Sequence, residues 1–174
     1  MSEGSPAAWL ALAFRSPLSH AQKLERAQGA APRDEEFDPA LLAREEEDWR
    51  ALEALGIALL TIADERYPER LRAGPAPLLL FLAGRASLLE ERGALVVAGV
   101  RGAAGEALVE TLDGGGRAVA VLSKGLLSAR SLLRALHEPI ADGSLALVSA
   151  EPPRAAWGPS RDARRARIVA ALSG

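Results

Sequence analysis

Residues 94–125 read ALVVAGVRGAAGEALVETLDGGGRAVAVLSKG. A short, continuously apolar run, a glycine-broken turn, a stretch of helical spacing, a glycine-rich exit and a second apolar run follow one another within thirty-two residues. Ala104, Leu108 and Leu112 fall on one helix face, which predicts a helix over about Gly105 to Leu112. Apolar runs without polar alternation are the pattern of strands covered on both faces, so the unit reads as strand, crossover helix, parallel strand.

The same alternation continues outward. After AVAVL (118–122) a helix is predicted from Ser128 to about His137, with Leu132, Leu133, Leu136 and Ile140 along one side. SLALVS (144–149) is a third apolar strand, and DARRARIVAALSG (162–174) closes the chain as a helix. Upstream, IALLTI (57–62) and LLLFLAG (78–84) read as two strands joined by a Pro-containing segment, with a helix expected over Ala86 to Arg92. Asp38 is an N-cap before Pro39 at the first helical position, and Leu42, Trp49 and Leu52 recur on one face until Gly56. One or two short helices are expected between Pro6 and Gln28. The fold class is therefore α/β: a small Rossmann-like parallel sheet with an N-terminal helical extension. The expected division is a helical region over 1–55 and a Rossmann-like domain over 56–174.

Composition narrows the chemistry. With 174 residues there is room for one ordinary domain and a sizeable core. The chain has no cysteine, which excludes disulfides, thiolate metal sites and cysteine nucleophiles. Its two histidines, His20 and His137, stand far apart, so no histidine-rich metal site is expected. The start, MSEGSPAAWLALAF, lacks a basic segment before its short apolar run and does not read as a signal peptide. No apolar run approaches the ~20 residues of a membrane span, and a cytoplasmic location without membrane association is expected. No cofactor is indicated, and no Ser-His-Asp order or acid-base pair stands out, so the expectation is a non-enzymatic protein.

Charge is unevenly placed. The formal net charge of −2 hides an acidic stretch, DEEFDPALLAREEED (34–48), and a basic end in which residues 151–174 carry five arginines against two acids. In an open parallel sheet, ligands bind beyond the carboxyl ends of the strands. The residues there are Gly99-Val100-Arg101-Gly102, Ser123-Lys124-Gly125 and Ala150-Glu151-Pro152. Gly99, Gly102 and Gly105 would let a backbone approach an anion at a helix start, or would simply form a tight turn. The sequence meets neither the dinucleotide fingerprint nor the phosphate-loop motif. Lys124 would meet a phosphate or be solvated. On the last helix Arg161, Arg164, Arg165, Ile168 and Leu172 share one stripe, with Arg167 to the side. Ile168, Val169 and Leu172 would pack on the sheet and send the arginines toward Arg101 and Lys124. Such a concentration of like charge either answers an anion or is a solvated basic face. Of the aromatic residues that could stack a base, Tyr67 and Trp49 sit in packed contexts, which leaves Trp157 beside the arginines.

Several stretches together resemble the DprA/Smf family of DNA-processing proteins. WLALA (9–13) is similar to the family's helical start, and LGIALLTIADERYPERLRAGPAPLLLFLAGRASLL (55–89) to its entry segment, the most specific part of the match. Gly99-Val100-Arg101 stands where the family has Gly-Ser-Arg. GGGRAVAVLSKGL (114–126) resembles its G-x-T-I-A-V-L-x-x-G-L strand, and GSLALVSAEPP (143–153) its G-x-x-x-S-E-x-P. RARIVAALS (165–173) resembles R-N-R-I-I-A-x-L-S, with Arg165 and Arg167 at the arginines. The resemblance implies single-stranded DNA as ligand, a role in natural transformation with loading of a RecA-type recombinase, and a pocket for DNA phosphates lined by Arg101, Lys124, Arg165 and Arg167. A homodimer is left open. The departures are as specific. The family's second core strand and its S-G-x-A-x-G-I-D-x-x-A-H motif have no counterpart. Ala166 replaces the asparagine and Val100 the serine, and Gly174 falls where the family continues with another strand, as in a shortened, degenerate relative. The alternatives are an enzyme acting on a nucleotide or nucleoside phosphate at the same rim, and a scaffold that retains only a protein-interaction role.

Overall fold

The computed structural model describes residues 4–74 and 76–174. The amino-terminal part is helical: α1 (Pro6–Phe14), α2 (His20–Gly29) and α3 (Pro39–Ala54). Each start is dictated locally. Ser5 Oγ accepts from Ala8 N, and Ser19 and Gln22 form a reciprocal capping box. Asp38 accepts from the amides of Ala40 and Leu41 ahead of Pro39. Arg15 at the end of α1 donates to Glu45 of α3 at 2.7 Å, tying the two helices together.

The sheet follows: β1 (Ala58–Thr61), α4 (Glu69–Arg72), β2 (Leu79–Ala83), β3 (Leu95–Ala98), α5 (Gly102–Asp113), β4 (Ala118–Leu122), α6 (Arg130–Ala135), α7 (His137–Asp142), β5 (Leu145–Ser149) and α8 (Pro159–Ser173). Strand order is β1-β2-β5-β4-β3. The parallel sheet expected from the apolar runs is present as β3, β4 and β5, whereas β2 runs antiparallel to both β1 and β5. An apolar run reports burial on both faces and is silent about direction. All five residues of β2 are buried although it runs against its neighbours.

Strand alternation builds two cores. On one face Leu79, Phe81, Ala120, Leu145 and Leu147 pack with Trp9, Leu10, Leu12 and Leu52, so the amino-terminal helices share a core with the sheet. Phe14 stacks on Phe81 with ring centroids 6.2 Å apart. On the other face Leu80, Leu82, Val119, Val121, Ala146 and Val148 pack with Tyr67, Leu71, Leu88, Leu89 and the α8 residues Ile168 and Leu172. Burying those two α8 side chains is worth about 1.5–3 kcal/mol each, enough to fix the rotation of the helix on the sheet.

Two segments differ from the periodicity reading. The expected helix over Ala86 to Arg92 is a 3-10 helix, Ala86–Glu90. The expected helix from Ser128 to His137 is broken: a 3-10 turn over Leu126–Ala129 leads into α6, and α7 continues to Asp142. Pro139 explains the break, because it cannot donate to the Ala135 carbonyl and its ring crowds that group. At the third position of α7 its missing N–H lies in a first turn, where no intrahelical partner is required.

Candidate nucleic-acid interface

The carboxyl ends of β3, β4 and β5 lie at one edge, joined there by the start of β2, since Phe81 pairs with Ser149 and Ala83 with Leu147. The loop after β5 is laid across this edge and pinned by backbone bonds from Gly125 N to Ala155 O (2.9 Å) and Leu127 N to Pro153 O (2.9 Å). Glycine is required at 125 because a Cβ there would sit 2.1 Å from the carbonyl oxygens of both Pro152 and Pro153. Ser149 Oγ donates to Lys124 O at 2.7 Å and accepts from Glu151 N at 3.1 Å, which positions Glu151.

The front of α8 meets this edge. Arg164 grips Glu151 through Nε to Oε1 (2.9 Å) and Nη2 to Oε2 (2.7 Å), and Arg161 Nε adds a bond to Oε2 at 3.0 Å. The Glu151 side chain is only 3% exposed, whereas those of Arg161 and Arg164 are 31% and 46% exposed. The carboxylate is thus a buried counter-ion serving two cations that reach solvent. Its hydrogen bonds to Arg164 push that guanidinium's pKa up, so Arg164 remains charged throughout the accessible range.

Arg165 takes a different direction. Its Nη1 lies 3.3 Å from Ser123 Oγ, and a Cβ on Gly99 would be 3.1 Å from the same atom. Gly99, at φ +81°, combines a left-handed backbone with room for the guanidinium. Arg165 Nη2 pairs with Asp162 Oδ1 at 2.9 Å, and the other Asp162 oxygen accepts from Trp157 Nε1 at 2.8 Å. Asp162 in the first turn of α8 suits the positive end of the helix dipole. Arg165 Nε is buried without an acceptor among the described residues. Arg101 precedes α5, which starts at Gly102; both are exposed, and Lys124 is half-buried. Neither the Arg101 nor the Lys124 side chain has a partner among the described residues. Arg167 makes one long bond to Ala163 O at 3.5 Å.

The helix divides its arginines between two places. A groove of about 520 Å³ runs between α8 and the start of β2, with Arg161, Arg164 and Arg167 on one wall and Phe14, Leu78 and Ile168 among its apolar lining. Arg165 instead faces the tips of β3 and β4, and Arg101 and Lys124 also lie outside the groove. The fifth carboxyl-terminal arginine, Arg154, is used up on Asp48 of α3 at 2.7 Å. Between them the two places hold six cations, Arg165, Arg101 and Lys124 outside the groove and Arg161, Arg164 and Arg167 on its wall, with Glu151 and Asp162 as the carboxylates bonded to the arginines of α8. Phe14 and His20 line the groove from the amino-terminal helices, and no motif or spacing pointed to either of them. Glu151 was legible as an acid near the cluster, though not as a bidentate clamp.

Among the described residues no group of three or more His, Asp or Glu is placed to hold a metal ion, and no helix is long and apolar enough to cross a membrane.

No family model matches the chain, and no curated protein sequence matches it. Among solved structures the chain is similar to DNA processing protein A (DprA) from Streptococcus pneumoniae, with 18% sequence identity and a TM-score of 0.57. The similarity covers 96% of this chain and 68% of that one. The chain therefore has a DprA-like, Rossmann-type α/β fold.

Proposed function

We propose that the rim binds the phosphates of single-stranded DNA, and that the protein is a non-enzymatic DNA-processing factor acting in the cytoplasm during DNA uptake, handing strands to a RecA-type recombinase. The observation that carries this reading is the excess of six cations over two carboxylates along the strand ends and α8, on both sides of the helix. Like charges held together raise the energy of the fold unless a polyanion answers them. Arg101, Lys124 and Arg167 are the cations left without a carboxylate, and Arg161, Arg164 and Arg165 are held in place by theirs. The fold likeness accords with this, because a solved structure of similar fold is named for DNA processing.

The chemistry is charge neutralisation: each phosphate contact releases condensed counter-ions, so affinity falls with salt and is indifferent to sequence. Polarisation titrations of a labelled oligo(dT) over a salt series test it. Arg165→Ala is expected to weaken all sequences about equally and to flatten the salt slope. Absent or salt-independent binding overturns the reading. The groove gives a second reading some footing, since its volume and arginine wall would suit a free nucleotide. Incubation with a nucleotide panel, analysed for bound ligand and for product, separates the two.

A further inference from the structure

Trp157 is 61% exposed, whereas Trp9 is buried in the core and Trp49 is half-buried against it. A single exposed aromatic residue is unremarkable when it is loosely held. This one is fixed by polar bonds instead of apolar packing. Its Nε1–H is held by Asp162, Asp162 is paired with Arg165, and Arg165 is seated against Ser123 and Gly99. Its loop is pinned to the tip of β4 by the Gly125 and Leu127 amides. The neighbouring residue, Gly158, would bring a Cβ within 3.2 Å of Arg161 Nη1, so a guanidinium flanks the same turn. The result is an anchored ring with an open surface, set beside Arg161 and the Asp162–Arg165 pair.

Resting on the reading of the rim as a DNA site, we propose that Trp157 is a base-stacking platform and that it makes the rim selective for single strands. Arginine and lysine contacts to phosphate carry no information about strandedness by themselves. A base can lie on the indole only if it is free of its own stack, which a single strand offers and a duplex does not. Stacking on an aromatic side chain is indifferent to base identity, in keeping with a sequence-tolerant site.

The test compares three ligands of equal length: oligo(dT), an abasic phosphodiester chain and a duplex. The native protein is expected to bind oligo(dT) roughly tenfold more tightly than the abasic chain, the scale of one base-aromatic stack. Oligo(dT) should also quench tryptophan emission. In W157A the ratio of oligo(dT) affinity to abasic-chain affinity falls to about one. W157F keeps a ring but loses the bond to Asp162 that anchors it, and so retains a preference intermediate between those of the native protein and W157A. Equal native affinity for oligo(dT) and the abasic chain, or an undiminished preference in W157A, overturns the stacking proposal and leaves phosphate binding standing. Failure of all three ligands to bind overturns the phosphate reading and the platform with it.

Discussion

Replacing Glu151 by glutamine removes a charge while nearly preserving shape, and the structure predicts opposite effects on stability and on DNA binding. In the native rim, six cations against two carboxylates leave four uncompensated charges. With a single strand placing one phosphate against each of these four charges, the log-log salt slope is about −3, or roughly 50-fold weaker binding on going from about 50 mM to 200 mM salt. With Glu151 neutral, five charges remain, the slope steepens to about −3.5, and the same change in salt costs roughly 130-fold. Binding at the low-salt end should tighten, because Arg161 and Arg164 no longer share a carboxylate.

Stability moves the other way. Breaking a buried ion pair by deleting one partner costs about 3–5 kcal/mol, but water reaches both arginines, so about 1–3 kcal/mol is expected here. In a chain of this size that lowers Tm by roughly 3–10 °C. Polarisation titrations at several salt concentrations and a thermal melt measure both quantities on the same preparation. An unchanged slope together with an unchanged Tm would refute the assignment of Glu151 as the internal counter-ion of the rim.

Other expectations follow from single side chains. Gly125→Ala places a Cβ against two backbone carbonyls that cannot both retreat, so a loss of about 3 kcal/mol or more in a denaturant melt is expected, with release of the 151–157 loop. Trp9→Ala empties a site shared by α1 and the sheet and should cost about 3–5 kcal/mol by the same measurement. Tyr67 is the sole tyrosine, buried with its hydroxyl donating to Pro77 O at 2.6 Å, and burial pushes its pKa above the ordinary 10.0. Tyrosinate absorbance should therefore appear near pH 10 in guanidinium but only at higher pH in the folded protein. Because the folded value is raised, this contribution to stability is complete below pH 10 and is lost as pH climbs beyond it. A folded-state titration with a midpoint at 10 would contradict the buried phenol.

Much of the fold was legible for reasons that can be named. The Asp38-Pro39 start of α3 and the apolar runs of β3, β4 and β5 are local signals that packing did not override. The direction of β2 was not legible, since nothing in LLLFLAG distinguishes a parallel from an antiparallel neighbour. The break before α7 was in principle readable from Pro139, but the apolar spacing of Leu132, Leu133, Leu136 and Ile140 runs straight through it. At the site, the seating of Ile168 and Leu172 on the sheet was foreseeable from spacing. The separation of Arg165 from Arg161, Arg164 and Arg167 was not, because it depends on the exact rotation those two anchors impose. No sequence signal links Phe14 or His20 to arginines some one hundred and fifty positions away.

The groove beside α8 takes its walls from α1 and the start of α2, from the α4–β2 connection, and from the far end of the chain. No contiguous fragment contains that surface, so excised peptides should be inert even where they carry every arginine. Occupancy of the groove by any ligand would thereby act as a proofreading signal for complete folding, since a chain that has docked only part of its helices offers nothing to occupy.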